Sequence, residues 1–481
     1  MKNLEPKRMW NYFYEITQIP RPSKNEGKIV EYLKAFAEKN GLEIKTDNVQ
    51  NVIISKPATA GYENHKRVVL QAHVDMVAEK NADVEFNFDT DPIQAYIDGD
   101  WIKAKGTTLG ADNGIGVAMA LAVLTDENLK HPALECLFTV DEETGLTGAF
   151  ALDEKSLSGD ILINLDSEDD GEIFVGCAGG IDTLGKITYT PEKTPQNYFG
   201  CSITVRGLKG GHSGDDIDKG LGNANKILNR FLWMTNARTD LRLSSFNGGN
   251  LHNAIPREAT AVVCVPDDYK EKLRAEINLF ASILENEFGD REPNLKIELE
   301  SVALPETVID KATSDRLLMG LYVCPHGIKA MSFDMPGLVE TSTNLASVKM
   351  KGSNTIEINT SQRSSIESAK YDIAYQVESA LKLAGAAVTH GDGYPGWQPN
   401  LKSEILRIAS DSYKKRYKED PKIRAIHAGL ECGLFLKKYP HLDMISIGPT
   451  MRGVHSPDEK LNIPSTQKTW DWLVDILASI E

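Results

Sequence analysis

Arg67-Val-Val-Leu-Gln-Ala-His73-Val-Asp75 is the stretch that decides how this chain is built. Its run of β-branched and aliphatic residues shows no polar alternation. It therefore reads as a strand buried on both faces, as in a sheet covered by helices. His73 stands where that strand runs out. Leu134-Glu-Cys-Leu-Phe-Thr-Val140 repeats the pattern and runs into Asp141, Glu142 and Glu143, and Ile161-Leu-Ile-Asn-Leu165 runs into Asp166. Asp112-Asn113-Gly114 precedes a helix of small and aliphatic residues that reaches Leu124. Strand, polar residue at its C-terminal end, then helix is the order by which an open α/β sheet gathers a site beyond its strand ends.

Outward from this core, residues 6–18 predict a helix ended by Pro20 and Pro22. Ser23 and Glu26 read as a capping box for a second helix that Gly41 stops. Residues 93–104 predict a hairpin turning at Asp98-Gly99-Asp100. From Lys186 the texture changes. Residues 200–290 and 295–385 each read as strands and helices of an α+β sandwich, one unit used twice. The turn-rich Gly391-Asp-Gly-Tyr-Pro-Gly-Trp397 closes this passage. Residues 402–416, 443–447 and 465–480 resume the earlier style. The expected architecture is thus α/β: a helix-covered mixed β-sheet domain from residues 1–185 and 393–481, with an inserted α+β sandwich lid at 186–392, a doubled unit. His455, in a loop near the end of the chain, must return to the first domain.

The chain has 481 residues, enough for two cores, and its 41% hydrophobic and 25% charged content is that of a globular protein. A formal charge of −16 argues against nucleic acid or an anionic membrane surface as partner. Six dispersed cysteines without a C-x-x-C pair read as small buried thiols in a reducing compartment. The N-terminus has no apolar signal region and no stretch is long enough to span a bilayer, so a cytoplasmic location is expected.

Five residues carry the chemistry: His73, Asp112, Glu143, Asp166 and His455. Imidazole and carboxylate are what Zn²⁺, Mn²⁺ or Co²⁺ take from a hydrolase. A dinuclear site also needs a carboxylate that can bridge. Asp112 suits that place because Gly110 and Gly114 let the backbone come close. Glu142 and Glu143 are adjacent; on an extended segment they face opposite sides, so one can bind metal while the other serves as general base. Asp75, two residues after His73, can accept from the imidazole nitrogen left free by a metal. Each piece alone is weak; their conjunction at strand ends carries the weight.

With these residues in view, the chain resembles the di-zinc metallopeptidase family that includes carboxypeptidase G, succinyl-diaminopimelate desuccinylase and peptidase V, and within it the bacterial aminoacyl-histidine dipeptidase group. The resemblance runs over nearly the whole chain. It rests on Ile19-Pro-Arg-Pro-Ser23, His73-Val-Asp-Met-Val77, Gly106-Thr-Thr-Leu-Gly-Ala-Asp-Asn-Gly114, Glu142-Glu-Thr-Gly-Leu146 and Asn164-Leu-Asp-Ser-Glu168. Gly210-Gly-His-Ser-Gly214, Asn253-Ala-Ile-Pro256 and His427-Ala-Gly-Leu-Glu-Cys-Gly433 complete the set.

The resemblance implies that His73 and Asp166 complete one metal site and Glu143 and His455 the other, with Asp112 shared. Asp75 orients His73, and Glu142 is the general base. Two divalent ions are implied, zinc first, with cobalt or manganese as alternatives. His212 is expected to stabilise the oxyanion with Asn253 assisting, Arg363 to bind the substrate's terminal carboxylate, and Glu431 its free amine. Aspartate at 166 accompanies dipeptidases and aminopeptidases in the family. The implied function is hydrolysis of unblocked dipeptides, Xaa-His among them, by attack of a water shared between the metals. An N-acyl-amino-acid deacylase using the same site is the alternative. A non-catalytic scaffold predicts a missing ligand or base, and none is missing. Small dipeptides are the expected partners, with no nucleic acid and no membrane, and the family raises a homodimer.

Overall fold

Val68–His73 is a strand in which every residue is buried, and it lies fourth from the edge of an eight-stranded sheet. The structure, a computed structural model, describes Met1 and residues 3–481. The chain divides into two compact units: Met1–Gly176 with Pro399–Ala425 and Leu430–Glu481, and Cys177–Gln398 with Ile426–Gly429.

The sheet of the first unit is built from β1 (Glu43–Thr46), β2 (Val52–Lys56), β3 (Val68–His73), β4 (Leu134–Thr139), β5 (Ile161–Asn164) and β6 (Glu172–Cys177), with strands Asp443–Ser446 and Lys422–Ile426. Their order is β1-β2-β4-β3-β5, then Asp443–Ser446, β6 and Lys422–Ile426. β3 runs parallel to both β4 and β5, and Asp443–Ser446 runs parallel to β5. Parallel strands need covered faces, and helix Ala111–Thr125, buried from Asn113 to Leu124, packs on β3. The register pairs His73 with Thr139 and Gln71 with Asn164. The residues that follow these strands therefore leave the sheet at one edge.

The hairpin at Ala95–Asp98 and Trp101–Ala104 extends into a four-stranded sheet through Lys460–Asn462 and Met451–Arg452. That pairing pins both ends of the loop carrying His455. Helix Gly27–Lys39 forms as expected, but Ser23 does not cap it. Glu26 is the N-cap residue, and the Ser23 hydroxyl is drawn instead to the buried carboxylate of Asp75, 2.8 Å away.

The second unit is a nine-stranded antiparallel sheet with four helices, Ala224–Asn236, Lys270–Phe288, Lys311–Val323 and Glu367–Leu383. Its main strands are β7 (Gly179–Thr188), β8 (Tyr198–Arg206), β9 (Arg242–Gly248), β10 (Ala259–Pro266), β11 (Lys296–Ser301), β12 (Val339–Lys351), β13 (Thr355–Ser364) and β14 (Ala387–His390). They lie in the order β11-β8-β10-β9-β12-β13-β7-β14. Counted within each half in chain order, this is 4-1-3-2 followed by its mirror, 2-3-1-4, so the unit is doubled. The partition differs from the two consecutive passes read along the chain. Lys296–Ser301 closes the first half beside β8, and β7, which precedes that whole half, is the first strand of the second. Pairing across long sequence separations decides this, and local composition does not report it.

All six cysteines are buried, and none forms a disulfide. Among the described residues, no helix is long and apolar enough to cross a membrane.

Candidate active site

The shared edge of β3, β4 and β5 brings the five expected residues together in the first unit. Nε2 of His73 lies 3.0 Å from Oδ1 of Asp112 and 3.4 Å from Oδ1 of Asp166. Nε2 of His455 lies 3.1 Å from Oδ2 of Asp112 and 3.0 Å from Oε2 of Glu143. Two triads result, His73–Asp112–Asp166 and Asp112–Glu143–His455, each with its ligand atoms within 4.8 Å of one another. Asp112 belongs to both and offers a different oxygen to each. His455 reaches the cluster from a left-handed backbone conformation, φ 61°, which costs an L side chain on the order of 1 kcal/mol.

Glu142 and Glu143 do not lie on an extended segment. Residues Glu142–Gly145 form a single helical turn. The cause is Asp75, whose Oδ1 accepts from the Glu142 N–H at 3.0 Å and whose Oδ2 accepts from the Glu143 N–H at 3.2 Å. Asp75 thus holds the turn as well as facing Nδ1 of His73 at 3.3 Å. Burial raises the Asp75 pKa, but the bonds and charge of His73, with the Glu142 N–H and Ser23, outweigh it and bring it down to about 2. Asp75 is an anion at any ordinary pH.

The other carboxyls are pushed apart by their surroundings. Burial holds Glu142 well above the ordinary glutamate range, partly opposed by the His73 charge. Burial likewise raises Asp166 to about 6 and Glu168 to about 8. Asp112 goes the other way: despite burial, its bonds to His455 and His73 hold it well below the usual range. His455 is raised to about 11, chiefly by its bonds to Asp112 and Glu143.

Oε1 of Glu143 is buried with no hydrogen-bond donor, and Oδ1 of Asp166, also buried, is met no closer than 3.4 Å, by Nε2 of His73. Stranding acceptor oxygens in this way costs free energy unless a cation or proton meets them. A donor set of imidazoles and carboxylates around those orphaned oxygens fits divalent metal.

Glu431 begins helix Glu431–Lys438 and is 2% exposed. It accepts from Nε2 of Gln71 at 2.6 Å and from the Thr139 hydroxyl at 2.9 Å. Burial raises its pKa to about 8.

The remaining expected residues lie in the second unit. His212 pairs with Ala254 in a two-residue ladder, and the Ser213 N–H donates to the Asn253 carbonyl at 2.8 Å. Strand β13 carries Arg363, whose Nη2 is 3.4 Å from Nε2 of His212. His212, from the first half of the doubled unit, and Arg363, from the second, therefore meet within one chain.

Three residues not anticipated from sequence also shape the two clusters. Tyr394 accepts from Nη1 of Arg363 at 2.9 Å. A Cβ at Gly180 or Gly429 would fall 2.7 Å from the Tyr394 ring, which is why both positions are glycine. Arg21 and Glu459 lie buried beside the loops that carry the two triads, at 1% and 2% exposure. Arg21 was visible only as part of Ile19-Pro-Arg-Pro-Ser23. Glu459, four residues after His455, belongs to no motif in the sequence.

A mixed sheet whose parallel strands end in two imidazole–carboxylate triads with one shared aspartate is the frame of a metal-dependent hydrolase. Residues 69–479 match the model of peptidase family M20/M25/M40. The chain belongs to that family, whose members are metal-dependent peptidases. It is 47% identical over 480 residues to the cytosol non-specific dipeptidase of Escherichia coli K12, covering 100% of this chain and 99% of that one. Among solved structures, aminoacylhistidine dipeptidase from Vibrio alginolyticus is 45% identical with a TM-score of 0.94, covering 100% and 98%. A tripeptidase from Staphylococcus aureus shares the fold at 16% identity and a TM-score of 0.58, covering 99% of this chain and 98% of that one.

Proposed function

We propose that the chain is a dipeptidase that hydrolyses unblocked dipeptides, Xaa-His among them, with two divalent ions held by His73, Asp112, Glu143, Asp166 and His455. The observation that carries this reading is the pair of triads sharing Asp112, in a chain nearly half identical along its whole length to a dipeptidase. Zinc suits the ligand set, as do cobalt and manganese. When bound, the ions acidify a water and polarise the scissile carbonyl.

The chain's own residues do the rest. Glu142, raised by burial and held by its N–H to Asp75, receives the proton that the attacking water gives up and returns it to the leaving amine. Asp75 fixes the orientation of His73. Arg363, its guanidinium steadied by Tyr394, takes the substrate's terminal carboxylate through its planar fork. His212, with Asn253, donates to the oxyanion of the tetrahedral intermediate. Glu431 meets the free amine, whose positive charge draws the proton off its carboxyl. The enzyme works in the cytoplasm, as the name of its E. coli relative suggests.

Glu142→Gln tests the assignment. It should lower kcat by several orders of magnitude and leave metal content unchanged; retained turnover would remove Glu142 as the base. Hydrolysis of carnosine-type dipeptides in preference to N-acetyl amino acids separates the dipeptidase from a deacylase, and the opposite preference overturns the substrate class.

A further inference from the structure

Neither Arg21 nor Glu459 belongs to either triad, yet between them they hold the backbone on which Asp112 stands. Oε2 of Glu459 accepts from the N–H groups of Leu109 at 2.6 Å and Gly110 at 2.9 Å. Oε1 accepts from Ala111 at 2.7 Å and Asp112 at 3.3 Å. One buried carboxylate thus takes four successive amides that would otherwise lack partners at the start of helix Ala111–Thr125. Arg21 grips the same turn from its carbonyl side. Its Nη2 donates to the Gly110 carbonyl, and its Nη1 donates to the carbonyls of Val74 at 2.8 Å and Asp75 at 2.7 Å. Gly110 is held at its N–H by an anion and at its C=O by a cation. The guanidinium also ties the Asp112 turn to the segment that follows His73.

The surroundings are shaped for this guanidinium. A Cβ at Gly110 or at Gly114 would fall 2.6 Å from Nη2 of Arg21, and Gly110 is at φ +68°. Two ionised groups this deeply buried are costly unless fully bonded, and here six backbone groups besides Gly110 N–H share the load.

We propose that Arg21 and Glu459 are positioning residues for the shared ligand: together they fix the turn that aims the two oxygens of Asp112 at the two triads. Glu459 follows His455 by four residues, so one short segment supplies a terminal ligand and also fixes the bridging one. The two halves of the metal site are therefore assembled by the same docking event. This rests on the reading of Asp112 as a shared metal ligand.

The test uses the full-length protein stripped of metal, titrated with Zn²⁺ against a chromophoric chelator and melted with and without the ion. Glu459→Gln keeps the side-chain shape but turns an amide N–H toward backbone N–H groups. Arg21→Lys keeps charge and most of the volume but cannot reach all three carbonyls. Each should weaken binding of at least one zinc ion tenfold or more and lose most of the zinc-induced rise in Tm. A merely structural role would lower Tm equally with and without metal. Variants with native zinc affinity and a native zinc-induced rise, whatever their metal-free Tm, overturn the proposal. If the unaltered protein takes up no zinc, the metal reading falls and this one with it; native uptake with unaffected variants sinks this one alone.

Discussion

Asp112 is the residue on which the two triads turn, and its neighbours show which parts of the site sequence can disclose. His73, Asp112, Asp166 and His455 were legible because ligand-type residues at strand ends and in glycine-flanked turns are uncommon in conjunction. Arg21 and Glu459 were not, since their meaning lies in which distant amides and carbonyls they reach. The pair Glu142–Glu143 was half legible. Both acids stood out, but their local conformation is set by Asp75, about seventy residues earlier. The same crowding of acids makes the metal-free protein sensitive to pH. Glu431 and Glu168, raised from an ordinary 4.5 to about 8, keep protons in the folded state that the unfolded chain has lost. His455, raised to about 11, acts in the same direction above its ordinary 6.5. The folded protein then binds more protons than the unfolded one, so its stability falls as pH rises. Buried His427, lowered to about 3, acts oppositely only below 6.5. Tm of the metal-free protein should therefore drop between pH 6.5 and 8. Each extra proton contributes a slope of at most about 1.4 kcal/mol per pH unit. Because metal replaces those protons, the zinc-induced gain should grow over the same range. A flat or rising metal-free Tm would contradict the pattern of raised groups.

At the scale of elements, the strands of the first unit followed from unbroken apolar runs, and the parallel register of β3, β4 and β5 turned three separate strand ends into one site. The doubled sheet was legible only as a rhythm of strands and helices. Which strand closes which half depends on β7 pairing with β13, from Gly179↔Ser364 to Thr188↔Thr355, and no local signal reports a partner so far along the chain. The two halves join where β9 meets β12, through Gly248 and Val348. Beside that joint, Gly249 is at φ +68° and a Cβ there would fall 1.9 Å from the Ala346 carbonyl oxygen. Gly249→Ala should destabilise the protein by on the order of 2–3 kcal/mol, from left-handed backbone strain plus a displaced strand. Urea denaturation checks this, and an unchanged midpoint would show that the joint is more pliant than its geometry implies.

For the molecule as a whole, the return of the C-terminal segment was foreseeable, because His455 had no other ligands to join. Leu430–Glu481 does belong to the first unit, and the His455 loop is closed at its base by Met451–Arg452 pairing with Lys460–Leu461, which the hairpin Ala95–Ala104 extends through Trp101–Lys103. The change of texture at Lys186 falls inside β7, whose first half is nearly all buried and whose second half alternates; composition registers that alternation, whereas the compact unit begins at Cys177. A net charge of −16 gathers in part around the site, where Asp75, Asp112, Glu142, Glu143, Asp166, Glu168, Glu431 and Glu459 crowd two histidines and one arginine. Divalent cations relieve that crowding and also supply the chemistry, and this is the central claim. Its most direct test follows hydrolysis of an unblocked Xaa-His dipeptide while zinc is added to the metal-stripped enzyme. Turnover should be absent without metal and should level off at two zinc ions per chain. Undiminished turnover in the metal-free protein, or a plateau reached at one ion, would contradict a site built on two triads and a shared aspartate.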